Sequence, residues 1–395
     1  MNDIILKNIA IQYGTPAYVY DAAQLISNIE ALRSGISSKA QICYSVKANP
    51  NEHLLKLINS HVNRLEVCSV GEFKVAQKAG IAANKMIFVG PGKRENELKF
   101  VISQNIGVIV AESTQELGII NRLVGDHKVS IALRINPQTS VSSGRLNMSG
   151  SPTQFGFDEN EAFSILNNNP YGNISIDGIH FYYGTQHLDG NVVNKLFALS
   201  IEIFQKAVAI APLKFIDFGG GFGVPYFENE KQFDFSLLQE WRDVINSSQF
   251  NSYDVLVESG RYITASCGCF LTKVLYTKQM NGKKFAIADG GMNNHFSLAS
   301  IGRLLKRDFP VAVLNDSQDS EIVSIAGPLC TPVDMIASNV NLPLIKPNDI
   351  LAMKNAGAYG YTYSPQMFLS HPAPIELLID LNGSVKVIRE AKYYE

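Results

Sequence analysis

Eight short apolar runs recur along the first two-thirds of the chain, at residues 42–47, 65–68, 86–89, 107–110, 129–136, 175–182, 214–218 and 255–258. Between them lie amphipathic stretches such as 71–80, 95–103, 114–124 and 192–210, whose apolar residues fall at helical spacing. Strands that alternate with helices pair in parallel. Eight such units predict an α/β fold, a closed (β/α)8 barrel over residues 26–265, rather than an open doubly wound sheet. Beyond residue 265 the pattern changes to β-like runs at 270–276, 284–288, 322–326, 350–354, 375–379 and 384–388. Asn281-Gly282 and Asn382-Gly383 mark hairpins there. This predicts a mainly antiparallel β domain of residues 266–395, joined by residues 1–25, where Ala17-Tyr18-Val19-Tyr20 reads as extended.

Composition narrows the class. The 395 residues are 46% hydrophobic, enough for large cores. With 34 basic against 36 acidic residues the net charge is −2, which gives no electrostatic case for nucleic acid or an anionic membrane. Met1-Asn2-Asp3-Ile4 lacks a basic, then apolar, signal pattern, and no apolar run is long enough to span a bilayer. Five cysteines, Cys43, Cys68, Cys267, Cys269 and Cys330, suit reduced thiols in a cytoplasmic protein. Cys267-Gly268-Cys269 has no second pair or histidine cluster beside it, so two strand cysteines are expected and no metal site.

Three sites carry candidate chemistry. In Ile42-Cys43-Tyr44-Ser45-Val46-Lys47 the alternation places Lys47 at the end of the first strand, on the side of Cys43 and Ser45. Asn49-Pro50-Asn51 ends that strand, and Asn51 caps a helix bearing Leu54, Leu55 and Ile58. A lysine among apolar neighbours can lose its proton and attack a carbonyl. After strand seven, Gly219, Gly220 and Gly221 offer bare backbone N–H groups to an anion, although tight turns use glycine too. After strand eight, Arg261 can take a phosphate and Glu258 can keep a pyridine nitrogen protonated; a local Glu258–Arg261 ion pair is the simpler alternative for that tetrapeptide alone. Lysine, glycine cradle and Glu/Arg pair together describe one ligand, pyridoxal 5′-phosphate.

With these motifs the chain resembles the fold-type III pyridoxal-phosphate decarboxylases, the family of diaminopimelate, ornithine and arginine decarboxylases. The resemblance implies that Lys47 in Y-S-V-K-A-N carries the cofactor and that Gly219, Gly220 and Gly221 line its phosphate. It implies that Glu258 and Arg261 in E-S-G-R, where the family has E-P-G-R, meet the ring nitrogen and the phosphate, and that Tyr359 in G-A-Y-G also meets the phosphate. Cys330 in G-P-L-C-T-P-V-D matches a cysteine that a partner subunit supplies to protonate the carbanion, which implies a homodimer. Thr331 and Asp334 in the same frame are the candidate substrate contacts.

Two positions depart from the family pattern. Tyr182 stands where a histidine stacks on the cofactor, with Thr185 at the following serine and His180 as a second candidate. Thr331 stands where the diamino-acid enzymes place the carboxylate that holds a distal ammonium, which argues against a free diamino acid. Within the family the motifs look like the branch that decarboxylates glutamate carried as a thioester on an acyl carrier protein in secondary-metabolite biosynthesis. The expected reaction is thus decarboxylation of an amino acid, tethered to a carrier protein or free, as meso-diaminopimelate or ornithine would be. A racemase would place Arg rather than Glu258 near the ring nitrogen, and non-catalytic pyridoxal-phosphate carriers are single barrels.

Overall fold

The computed structural model describes residues 1–125, 127, 129–137, 146–147, 153–298 and 308–393. The chain forms two units, one of Asn28–Pro225 and Lys231–Ile263, the other of Met1–Ser27, Tyr226–Glu230 and Thr264–Glu395.

The first unit is a barrel of eight parallel strands: β1 (Ala40–Ser45), β2 (Arg64–Val67), β3 (Met86–Phe88), β4 (Val108–Ala111), β5 (Ser130–Asn136), β6 (Ser175–His180), β7 (Phe215–Asp217) and β8 (Asp254–Ser259). Pairing runs β1 to β2, β3, β4, β5, β6, β7 and β8, and β8 returns to β1 with Val257 beside Ile42. Closure leaves no sheet edge, so strands this short satisfy their backbone groups on both sides. Inside, Cys43, Ile87, Val108, Val110, Ala132, Phe215 and Leu256 form one buried cluster. The helix Glu52–Asn59 follows β1. Asn51 caps it by accepting from the His53 N–H at 3.0 Å, and Leu54, Leu55 and Ile58 are buried.

The second unit is a sheet in the order Met335–Pro343, Ser320–Ala326, Lys283–Ala288, Gly268–Met280, Ala17–Asp21, Ile375–Ile379 and Val385–Arg389, with Ile350–Lys354 also on Gly268–Met280. Its pairings are antiparallel except Ala17–Asp21 with Ile375–Ile379 and Lys283–Ala288 with Ser320–Ala326. Alternate residues Ala17, Val19, Cys269, Leu271, Ile350, Ala352, Ile375 and Leu377 make one face, on which the helix Asp3–Tyr13 buries Leu6, Ile9 and Ala10. Asn281 and Gly282 are both left-handed (φ 50° and 76°), the type I′ turn that matches strand twist. At Asn382-Gly383 only the glycine is left-handed, and the loop is one residue longer.

Several expectations change in detail. The strand before Lys47 stops at Ser45, and Lys47 sits in the 3₁₀ turn Val46–Ala48, because Asn49-Pro50 cannot extend the ladder. The helix Asp3–Tyr13 and the strand Met335–Pro343 go unforeseen; the strand mixes Asn and Ser with apolar residues and lacks clean alternation. Cys269 is a strand residue, whereas Cys267 lies just before the strand and donates to the Thr264 carbonyl at 3.1 Å.

Removing the cap should loosen the segment that follows Lys47. Asn51→Ala is expected to lower unfolding stability by about 1 kcal/mol, measured by urea denaturation; a loss under a few tenths would show that the cap does not hold this helix.

Candidate active site

The same inward register that fills the barrel turns polar at its carboxyl end. Two residues past Ala132, Gly178, Phe215 and Leu256 come Arg134, His180, Asp217 and Glu258, all buried. A period of two keeps each pair on one side of its strand, so these groups converge where eight strands end. Arg134 lies beside His180 in register, and His180 beside Asp217. Glu66, within β2, and Glu112, the residue after β4, join them and are also buried.

Lys47 and Glu66 form an ion pair at 2.6 Å. The same Glu66 oxygen accepts from the Cys68 thiol at 3.4 Å, while the other oxygen is buried and unpartnered. The Lys47 ammonium also lies 5.4 Å from the centre of the Tyr182 ring. Burial alone would raise the Glu66 carboxyl, but the Lys47 charge overrides it and holds the group below the ordinary carboxylate range. Arg134 meets both oxygens of Glu112 at 3.2 and 3.3 Å, and Glu112 further accepts from the Gly90 and Gly156 N–H groups at 3.2 and 3.1 Å. The Arg134 guanidinium sits 4.6 Å from the Phe155 ring centre, with one terminal nitrogen buried and unpartnered.

Across the barrel, His180 Nε2 is 3.3 Å from Glu258 Oε1. Burial drives the His180 pKa down to about 4, so the ring is neutral. Burial and then the Glu258 charge push Asp217 up to about 7, and burial and then the Glu66 charge push Glu258 well above the carboxylate range. One ligand atom each from His180, Asp217 and Glu258 lies within 4.8 Å of the others, a spacing that suits a small cation. Metal ligands must shed their protons, and these two carboxyls favour keeping theirs.

The glycine loop has a packing reason apart from any ligand. A Cβ at Gly219 would overlap the Phe181 carbonyl oxygen, and one at Gly220 the Glu258 carbonyl oxygen. Asp217 Oδ1 accepts from the Gly219 N–H at 2.9 Å, leaving Oδ2 buried and unpartnered. The loop after β6 grips it: the His187 N–H donates to Gly221 O at 2.9 Å, and the Gln186 amide bonds both ways with the Val224 backbone at 2.5 and 3.2 Å.

Of the residues expected at a site, Lys47, Tyr182, His180, Glu258 and Gly219, Gly220 and Gly221 come together at this end of the barrel, and Arg261 opens the short helix after β8. His180 and Tyr182 divide: the first meets Glu258, the second Lys47. Cys330, Thr331 and Asp334 lie on one loop of the β-rich unit. The Cys330 thiol is exposed, and Asp334 is turned inward. Tyr359, in the same unit, has φ 57°, a costly conformation for a large side chain. Sequence reasoning missed Glu66, Glu112, Arg134 and Asp217. Their signal was a charged residue at or just past the carboxyl end of an apolar run. The unpaired buried atoms of Glu66, Arg134, His180 and Asp217, with an amine at Lys47 and bare backbone at Gly219–Gly221, fit a polar ligand bearing a carbonyl, a basic ring nitrogen and an anion.

Residues 22–265 match the family described as pyridoxal-dependent decarboxylase, pyridoxal binding domain. The chain is 37% identical to the L-glutamyl-[BtrI acyl-carrier protein] decarboxylase of Niallia circulans, over 96% of this chain and 91% of that protein. It is 33% identical to the 2-[(L-alanin-3-ylcarbamoyl)methyl]-2-hydroxybutanedioate decarboxylase of Staphylococcus aureus, over 90% and 92%. The solved diaminopimelate decarboxylase of Helicobacter pylori complexed with L-lysine superposes with a TM-score of 0.87 at 29% identity, covering 98% of this chain and 96% of that one.

The raised Asp217 carboxyl has a stability consequence in the cofactor-free protein. A folded pKa above the unfolded value stabilises the fold fully below the ordinary aspartate range, and that contribution is lost as pH rises through about 7. Asp217→Asn, which mimics the protonated acid, should match the unmodified protein near pH 4 and become progressively more stable than it up to pH 8. Urea denaturation across that range checks this; parallel curves would show that Asp217 is ionised throughout.

Proposed function

The chain belongs to the pyridoxal-dependent decarboxylases, and on that premise we propose that it decarboxylates an amino acid whose distal end is held in an acyl link, as in an aminoacyl thioester on an acyl carrier protein. Its cofactor is pyridoxal 5′-phosphate, which when bound supplies the sink for the electron pair left by the departing carboxyl group.

In this reading Lys47 holds the cofactor covalently, and Glu66, ionised by the Lys47 charge, orients the Lys47 amine by accepting from it. Glu258, already biased toward its protonated form, shares a proton with the ring nitrogen, and His180 stays neutral beside it and so adds no competing positive charge. Tyr182 covers the ring in place of a histidine. Gly219–Gly221 and Arg261 hold the phosphate. Cys330, exposed on its loop, gives a proton to the substrate carbon once carbon dioxide has left. A second copy of the chain supplies that loop, so the working form is a homodimer. The free thiols suit a cytoplasmic setting.

The observation that carries the substrate assignment is Thr331, the residue after Cys330. A hydroxyl there cannot neutralise a distal ammonium, and desolvating an unpaired ammonium costs several kcal/mol, roughly a thousandfold in affinity. Two of the relatives support the same direction, since one acts on a carrier-bound glutamyl group and the other on an alanine joined through an amide. A free diamino acid is the second reading, favoured by the likeness to diaminopimelate decarboxylase.

Release of carbon dioxide from L-glutamyl-loaded acyl carrier protein, free ornithine and free meso-diaminopimelate separates the two. The carrier-bound substrate is expected to be preferred by about three orders of magnitude, the cost of one unpaired charge. Thr331→Asp should raise turnover of the free diamino acids. Efficient turnover of either by the unmodified protein overturns the tethered-substrate assignment. Lys47→Ala should abolish both turnover and the visible absorption of the bound cofactor; a retained covalent band would place the attachment elsewhere.

A further inference from the structure

Two buried acids lie outside the barrel among the described residues: Glu376, which pairs with Arg389, and Asp334, so far only a candidate substrate contact. Asp334 is 2% exposed, at the end of the loop Gly327-Pro328-Leu329-Cys330-Thr331-Pro332-Val333-Asp334. One carboxylate oxygen accepts from the Leu329 N–H at 2.9 Å, within the loop, and the other from the Met292 N–H at 2.7 Å, on the neighbouring turn after Lys283–Ala288. Its backbone closes the loop as well, since Gly327 N–H donates to Asp334 O at 3.0 Å and Asp334 N–H to Thr331 O at 3.3 Å. Both chain segments make room for it: a Cβ at Gly291 or at Gly327 would overlap the Asp334 carboxylate. Met292 and Leu329 then pack together with Phe296 and Val333 around the staple.

No ion pair balances this carboxylate among the described residues, and both oxygens are engaged by backbone. A substrate amine has no open approach to it, so the substrate-contact role expected for Asp334 does not fit its geometry. A buried carboxylate without a cation is expensive unless it organises what surrounds it. What it organises is the residue beside Leu329. Leu329 is pinned by its N–H and by its buried side chain, and Cys330 projects from that anchor into solvent.

We propose that Asp334 is a positioning residue for Cys330: by gathering the Leu329 and Met292 amides it fixes the backbone from which the thiol reaches the reacting carbon. This rests on the role of Cys330 in the proposed function. Proton delivery is steep in distance, so a shift on the order of 1 Å can cost up to about a hundredfold in rate. Asn at 334 keeps the shape but turns a second acceptor into a donor, which sets an N–H against an N–H. Gly327→Ala keeps the carboxylate and its charge but displaces it.

The test is a double-mutant cycle on the holoenzyme, with carrier-bound glutamate or meso-diaminopimelate, whichever is turned over. Asp334→Asn and Gly327→Ala should each lower kcat about tenfold or more with little change in KM and an unaltered cofactor absorption spectrum. Added to Cys330→Ala, Asp334→Asn should cost no more than about twofold further, because its effect passes through the thiol already removed. Full additivity while Cys330→Ala alone is impaired overturns this inference and leaves the decarboxylase reading intact. Unimpaired turnover by Cys330→Ala overturns the proton-donor assignment and this inference with it. Amide hydrogen exchange gives a check free of substrate. Met292 and Leu329 should be protected in the unmodified protein and lose protection in Asp334→Asn; fast exchange in the unmodified protein shows that there is no staple.

Discussion

Lys47, Arg134 and the carboxyl groups of Glu66, Glu112, Asp217 and Glu258 meet at the carboxyl end of the barrel, and the way they pair sets the chemistry available there. Lys47 takes Glu66 and Arg134 takes Glu112, each within 3.3 Å. Asp217 and Glu258 are left with a neutral imidazole between them. In a space closed to water, two further negative charges would have no compensation, so these two acids retain protons where exposed ones would not. The site is therefore polarised, with an ion-paired amine at one side and proton-holding acids at the other. This is what a carbonyl-bearing, basic-ring ligand needs at its two ends.

Barrel closure makes that polarisation possible. Residues two apart on a strand face the same way, and the inward file changes from apolar to charged in one step, from Phe215 to Asp217 and from Leu256 to Glu258. The apolar layer pays for the charged one by fixing where each strand ends. Gly219 and Gly220 then let the loop after β7 lie against the backbone of its neighbours, which holds Glu258 from behind through its N–H to Gly219 O at 2.7 Å. Rigid support of this kind keeps charged groups at fixed separations and lets their mutual fields persist.

The β-rich unit uses a different economy. Its chemistry-bearing loop contains one exposed thiol and one buried carboxylate, and two glycines are spent on making room for the carboxylate. A single acid bonded to two amides can order a loop that contributes little apolar burial of its own. The barrel stabilises its functional groups by surrounding them; the loop stabilises its own by stapling.

The sequence alone determined the eight-strand count, the class of each unit and the places of the candidate groups. Periodicity is a local property, and Lys47, the glycine run and Glu258 each sit at a break in a periodic segment. Asn51 as a helix cap and Asn281-Gly282 as a hairpin turn were legible for the same reason, since each is settled within a few residues. Only the tertiary structure decided which charges meet. Glu66, Glu112, Arg134 and Asp217 are unremarkable in their own segments; strands distant in the chain bury all four, pair Arg134 with Glu112, and shift the protonation of Glu66 and Asp217. It also turned Asp334 inward, by placing Met292 opposite Leu329. Hydrophobic alternation fixes which side of a strand a residue faces, but a charge's energy depends on its neighbours across the barrel, and those are set only when the barrel closes.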